Sequence, residues 1–197
     1  MAKENLFAAM EKSGIVKHGH LKLTSGRHSD VYFNKDGLHQ LPWLRKNLIE
    51  QWKQILLDAF PVLKNSNSMY LTGPATAGSL WTTLLSHELE VPMVYCEKRS
   101  NSMVFGRGFV KMLTGNPVII IEDVITTGAS VLKTLRAVES KTIKGVVVGI
   151  SCIWNRPMFS NIAGRSIYPI FEGGAKSWGE CCPLCAAGVP IQNPKED

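Results

Sequence analysis

An open, mostly parallel β-sheet flanked by helices, with a small N-terminal flap, is the α/β architecture that three features of this chain point to. Apolar runs of strand length alternate with amphipathic stretches of helix length along most of the sequence. Two of those runs, Val118-Ile-Ile-Ile121 and Val146-Val-Val148, are continuously apolar and β-branched, as in strands covered by helices on both faces. The 197 residues, 45% apolar and 19% charged, can bury a substantial core and do not fit disorder, collagen or coiled coil.

The first twelve residues are interrupted by acids and read as a first helix rather than a signal peptide. Residues 22–24 and 31–33 flank Ser25-Gly-Arg27-His28 and are expected to form the flap. Leu41, Leu44, Leu48, Trp52, Ile55 and Ala59 recur at steps of three and four, which predicts an amphipathic helix over 41–60. Pro42 is tolerable in its first turn, and Pro61 helps to end it. A polar run at 64–68 leads to a strand at 69–72, the turn Gly73-Pro-Ala-Thr-Ala-Gly78 and a helix over 79–87. Strands at 93–96 and 118–122 follow, then a helix with Val131, Leu132, Leu135 and Val138 on one face, then a strand at 146–153. Residues 97–109 are polar, basic and glycine-bearing and read as a mobile loop. No repeat or linker divides the chain, so one domain over 1–197 is expected. It comprises a helix and hood to about residue 40, an α/β core over 41–175, and a cysteine-bearing tail over 176–197.

The longest apolar stretch, residues 145–154, falls short of the ~18 residues a membrane span needs, so a soluble, cytoplasmic protein without a membrane partner is expected. Five cysteines (Cys96, Cys152, Cys181, Cys182, Cys185) are an odd number in a chain too long to need disulfide staples, which fits a reducing compartment. A net charge of +6 suits an anionic ligand, whether phosphate, nucleotide or nucleic acid.

The chemistry concentrates in Val118-Ile-Ile-Ile-Glu-Asp-Val-Ile-Thr-Thr-Gly-Ala-Ser130, a buried strand ending in two acids, then a Thr/Gly loop opening a helix. Backbone N–H groups at the helix start, with the hydroxyls of Thr126, Thr127 and Ser130, suit a phosphate dianion. Gly128 allows close approach of the backbone. Glu122 and Asp123 are acceptor-only groups, suited to a vicinal diol and unsuited to a phosphate. Together they describe a sugar phosphate, with its diol on the carboxylates and its phosphate on the loop.

This run resembles the phosphoribosyl-diphosphate (PRPP) signature of the type I phosphoribosyltransferases. Leu23-Thr-Ser-Gly-Arg-His-Ser-Asp30, Leu71-Thr-Gly-Pro-Ala-Thr-Ala-Gly78, the 97–109 segment and Cys182-Pro-Leu-Cys185 resemble segments of the orotate branch. The resemblance implies a homodimeric enzyme that moves phosphoribose from PRPP, held with Mg²⁺, to orotate. It places Glu122 and Asp123 on the ribose hydroxyls, with Asp123 favouring the developing cation. PRPP would follow the backbone onward through Val124 and Ile125 to the phosphate loop of Thr126, Thr127, Gly128, Ala129 and Ser130. Pro74 and Ala75 would meet the pyrophosphate.

By the same resemblance, Lys98, Arg99 and Arg107 belong to a lid that closes over the leaving group and reaches a neighbouring subunit, Lys98 serving catalysis. Arg156 would clasp the orotate carboxylate, with Arg27, Phe33 and Thr126 near the base. Mg²⁺ would be held mainly by PRPP and water, so no protein side-chain metal cage is expected. The chain departs from the commoner orotate pattern: Thr24 stands for a lysine, Thr76-Ala77 for an aromatic–lysine pair, and Trp154-Asn155-Arg156 for Val-Asp-Arg. Transfer to another base, or a non-catalytic PRPP-sensing regulator, are the alternative readings. No nucleic-acid partner is expected, because no helix-turn-helix or basic tail is seen.

Cys182-Pro-Leu-Cys185 has the spacing of half a zinc site or of a redox pair. Zinc needs four ligands and only Cys181 lies close in sequence, so a structural role is expected. His87-Glu88 lacks the second histidine of a zinc protease, and Ser130-Val-Leu-Lys133 has no supporting motif of a β-lactam enzyme. No Walker loop or Gly-x-Gly-x-x-Gly is present.

Overall fold

The computed structural model describes residues 3–23, 26–65, 68–106 and 108–194. In chain order the elements are α1 (Lys3–Lys12), β1 (Val16–Lys22), β2 (His28–Phe33), α2 (Pro42–Ala59), β3 (Tyr70–Thr72), α3 (Ala77–Leu89), β4 (Glu97–Arg99), β5 (Ser102–Val104), α4 (Phe109–Leu113), β6 (Pro117–Ile125), α5 (Ala129–Val138), β7 (Val146–Asn155), β8 (Asn161–Ile162), β9 (Arg165–Glu172), β10 (Ser177–Trp178) and α6 (Pro183–Ala186). Short 3-10 turns lie at Gly37–Gln40 and Pro61–Asn65. The chain divides into two compact units: a smaller one of Met1–Leu48 with Gly173–Asp197, and a larger one of Ile49–Glu172.

The larger unit is built on a five-stranded sheet in the order β3-β6-β7-β9-β8, parallel throughout except for β8 at one edge. An α/β fold with a mostly parallel sheet is thus present. Val118, Ile119, Ile120 and Ile121 of β6 are fully buried, as a strand covered on both faces demands. Each such side chain contributes about 1.5–3 kcal/mol of apolar burial. Trp52 of α2 donates its indole N–H to Ser151 Oγ on β7 at 2.7 Å, and its ring lies 6.0 Å from that of Trp81 on α3. The buried stripe of α2 is Leu44, Leu48, Ile49, Trp52 and Leu56; the expected Ile55 is only half-buried, since the step of four from Trp52 leads to Leu56.

The expected strand at 93–96 is reduced to a single parallel bridge between Met93 and Leu71. β3 is three residues long, and only Leu71 turns its N–H and C=O toward this segment, to Pro92 O and from Val94 N, each at 3.0 Å. Residues 97–104 form an antiparallel ribbon, β4 with β5, rather than a structureless loop. Met103 and Phe105 anchor it, being buried in the same apolar cluster as Leu113, Val118 and Val131.

In the smaller unit, β1, β2 and β10 form an antiparallel sheet in that order. The segment after residue 172 is stitched to it by backbone bonds, Lys22 N to Gln192 O at 3.0 Å and Gln192 N to His20 O at 2.8 Å. Ser29 Oγ donates to Lys176 O at 2.6 Å, and Lys176 N donates to Asp30 Oδ1 at 2.7 Å.

Candidate active site

In open α/β sheets a ligand crevice forms at the carboxyl ends of the strands where the chain reverses direction across the sheet. Here that point lies between β3 and β6. From β3 the chain passes through α3 to Met93 on one side of β3, then returns to enter β6 on the other, after which β7 and β9 follow outward. The turn after β3 and the loop after β6 therefore share the crevice, and both are segments singled out above.

They are packed against each other. A Cβ at Gly73 would stand 2.5 Å from Ile121 O, and one at Gly78 would stand 2.8 Å from the same oxygen, so only glycine permits this approach. Pro74 is buried, Ala75 half-buried and Thr76 exposed, and the Ala75–Thr76 peptide is cis. Ser79 N bonds to Pro74 O at 3.2 Å, and the buried Cys96 thiol donates to Gly73 O at 3.1 Å.

Glu122 and Asp123 are part of β6 itself, 6% and 4% exposed, which is deep burial for acids beside an entirely apolar strand. Asp123 Oδ1 accepts the N–H of Val124 at 2.6 Å, and Glu122 Oε1 accepts the N–H of Asp123 at 3.1 Å. Each carboxylate is thus held by a charge-assisted bond to the strand's own backbone. Their charge reaches β7: the thiol of Cys152, paired in register with Glu122, is pushed well above its ordinary value, by burial first and then by Glu122, Glu172 and Asp123.

Beyond Ile125, the side chains of Thr126, Thr127, Ala129 and Ser130 are exposed while Gly128 is buried. Gly128 is the N-cap of α5 at φ +74° and has no side chain with which to cap the helix. Ala129 N has only a long contact, 3.4 Å, to Thr127 Oγ1. A helix N-terminus capped by glycine, with hydroxyls around it, is an anion site in its simplest form. Arg156, half-buried after β7, is drawn to this loop by its own N–H, 3.1 Å from Ile125 O. Asn155, fully buried, organises the turn that follows: its Nδ2 donates to Phe159 O at 2.8 Å and its Oδ1 accepts from Phe159 N at 3.2 Å.

Lys98 and Arg99 are exposed on β4, where Arg99 makes a loose 3.4 Å pair with Glu97. Lys133 of α5 donates to Asn101 at the tip of the ribbon, tying β4–β5 to the helix that opens after residues 126–128. Arg27 and Phe33 belong to the smaller unit. Arg27 is exposed and donates to Ser177 O at 2.8 Å, and Phe33 is buried at the end of β2. Arg107 and Thr24 lie outside the described residues.

Comparison with known proteins points the same way. The family model described as "Phosphoribosyl transferase domain" matches residues 38–158. The chain is 31% identical to an orotate phosphoribosyltransferase of Caldanaerobacter subterraneus subsp. tengcongensis, over 98% of this chain and 97% of the relative. Among solved structures, orotate phosphoribosyltransferase from Aeropyrum pernix superposes with a TM-score of 0.63 at 22% identity, covering 85% of this chain and 93% of that one. Adenine phosphoribosyltransferase from Rhodothermus marinus gives 0.62 at 16% identity, covering 86% and 99%. The backbone is common to enzymes named for two different bases, so the base must be read from side chains.

Proposed function

The chain belongs to the phosphoribosyl transferase domain family, and on that premise we propose that it is an orotate phosphoribosyltransferase, converting PRPP and orotate to orotidine 5′-phosphate and pyrophosphate. The observation that carries the reading is the pair of buried carboxylates at the end of β6 directly followed by the α5 start, N-capped by a glycine and ringed by exposed hydroxyls. Glu122 and Asp123 accept the ribose hydroxyls, and residues 126–130 take the 5′-phosphate. As the bond from C1 to the pyrophosphate oxygen breaks and the bond to the base nitrogen forms, the fixed charge of Asp123 lies beside the cationic ribose. Backbone N–H groups around Pro74 and Ala75 face the pyrophosphate. Lys98, Arg99 and Arg107 neutralise that leaving group from a lid shared across a homodimer. Arg156 takes the base carboxylate, with Thr126 near the ring.

The oxygen donors at the end of β6 are hard ligands of the type Mg²⁺ shares with substrate phosphates. The ion would enter with PRPP, held chiefly by its oxygens and by water beside Glu122 and Asp123, and would offset the diphosphate charge. No described helix is long and apolar enough to cross a membrane.

Orotate absorbance followed in the presence of PRPP and Mg²⁺ tests the proposal; no turnover at micromolar enzyme overturns it. Adenine, uracil, xanthine and hypoxanthine are parallel arms, and turnover of one of these in place of orotate assigns another base. Arg156→Ala is expected to raise KM for orotate at least tenfold with KM for PRPP little changed, the loss of one charged bidentate contact being worth about 1.5–3 kcal/mol.

A further inference from the structure

The smaller unit holds a cluster that this reaction does not use. His20 on β1, His28 on β2, Cys182 at the N-cap of α6 and Cys185 within it bring four ligand atoms within 4.8 Å of one another. His20 Nε2 lies 2.9 Å from His28 Nδ1, 3.5 Å from Cys182 Sγ and 3.6 Å from Cys185 Sγ, and Cys185 Sγ lies 3.2 Å from His28 Nδ1. We propose that these four side chains bind one Zn²⁺ ion in a tetrahedral Cys₂His₂ site.

Three arguments support it. The first is geometric: with Zn–S about 2.3 Å and Zn–N about 2.0–2.1 Å, tetrahedral ligand atoms stand roughly 3.3–3.8 Å apart; four of the six separations, 2.9–3.6 Å, fall within about half an ångström of that range, and the other two do not exceed 4.8 Å. The second is a matter of lone pairs. His20 Nδ1 is 2.7 Å from Val189 O, a bond in which the ring N–H donates, so Nε2 presents its single lone pair to the cluster. Three polar atoms approach that one lone pair, and one nitrogen cannot accept from all three. An ion at the centre satisfies all four ligands together. The third is access: His20 and Cys182 are 1% and 4% exposed, whereas His28 is half-buried and Cys185 exposed, so the site is walled on one side and open on the other.

Topology explains the convergence. Lys22 pairs with His28 across β1 and β2, and the register shift between His18 and Leu21 falls at His20, whose Nε2 lies 2.9 Å from His28 Nδ1. β10 pairs with β2, and α6 follows a few residues later, which delivers the cysteines. Thiolate and imidazole ligands select zinc over magnesium, so this ion is distinct from the one that accompanies PRPP. On binding, the two thiols release their protons to solvent and the ion clasps the 173–194 segment to the β1–β2 hairpin. The proposal gives the structural role expected for Cys182-Pro-Leu-Cys185 a chemistry: the two further ligands are histidines more than 150 residues earlier, and the adjacent Cys181 is not one of the four.

The test uses the full-length chain and does not depend on activity. Elemental analysis after dialysis against Zn²⁺ should give close to one zinc per chain for wild type and for Cys181→Ser, and a loss of bound zinc for Cys185→Ser and His28→Asn. Substitution with Co²⁺ should give the intense visible bands of a tetrahedral thiolate complex, and a strong chelator should lower the wild-type Tm by about 5 °C or more. Wild-type protein that takes up no zinc, a weak octahedral cobalt spectrum, a Cys182–Cys185 disulfide that persists in protein purified with a thiol reductant, or loss of zinc on Cys181→Ser alone would each overturn the assignment. Because Cys185 and His28 are not fully buried, their variants should stay folded. If one does not, the wild-type metal content and cobalt spectrum decide.

Discussion

The larger unit and the smaller unit solve the problem of assembling polar groups in opposite ways. In the larger, the acids and the anion loop come from one unbroken stretch, Glu122 to Ser130, and the sheet has only to place that stretch at a strand end. In the smaller, four ligands come from β1, β2 and the α6 turn: Cys182-Pro-Leu-Cys185 shows half of the set in sequence, and neither histidine is marked by its neighbours. A helix start and a strand end are local structures, so a site made of them is written locally. A tetrahedral cluster is a product of topology and is visible only once the strands are paired.

The most damaging change to that contrast is Asp123→Asn, which keeps the shape and removes the charge. We expect kcat/KM for PRPP to fall by about 10²-fold or more while thermal unfolding changes little. Wild-type kinetics in this variant would mean that the contiguous run is not the site. Next in size is the double variant Lys98→Ala with Arg99→Ala. Both side chains are exposed, so the Tm should stay within about 1 °C while kcat/KM drops about tenfold. An equal fall in stability would make the ribbon a packing element instead of a lid.

Gly128→Ala tests the loop backbone. Its φ of +74° is unfavourable for alanine, and a Cβ would sit 2.9 Å from Ile162 Cδ1, the movable end of a side chain. A stability loss of about 1–2 kcal/mol is expected, with a weaker apparent affinity for PRPP, measured by denaturant titration and steady-state kinetics. The smallest effect concerns Cys152. Its folded thiol titrates well above the usual value, so the folded state keeps a proton that the unfolded chain loses. The resulting stabilisation is complete below the unfolded thiol pKa of about 8.5 and is lost as the pH rises above it toward the folded value. Cys152→Ala should therefore show a shallower alkaline decline in stability than wild type.

Much of the larger unit could be read from residues alone. β6 and β7 announced themselves as continuous β-branched runs, although Val146 at the start of β7 is exposed, and α5 through Val131, Leu135 and Val138, which are buried, and Leu132, which is half-buried. Other elements carried no such signal. β9 contains Pro169, which argues against a strand, yet it pairs with β7 there, in register with Cys152. β8 pairs with β9 only at residues 165 and 166, so Pro169 falls where β9 forms an open edge and its missing N–H is tolerated. The 93–96 run is apolar enough for a strand but meets a neighbour with a single residue to offer. Asn155, which stood out as a departure from the commoner pattern, has a local reason in the turn it closes onto Phe159. His20 and His28 drew no attention as ligands, because a histidine in a strand has no spacing that marks it.

The composition of the smaller unit from residues on both sides of the larger one also sets an order of events during synthesis. The larger unit is complete in sequence once Glu172 has left the ribosome. β1 and β2, made long before, still lack β10 and the Gln192 bridge. A nascent chain therefore reaches a stage at which the larger unit is complete in sequence while the N-terminal hairpin still lacks the strand that pairs with β2. That interval is when this protein is most open to mispairing, and it ends only when residues 177–192 emerge.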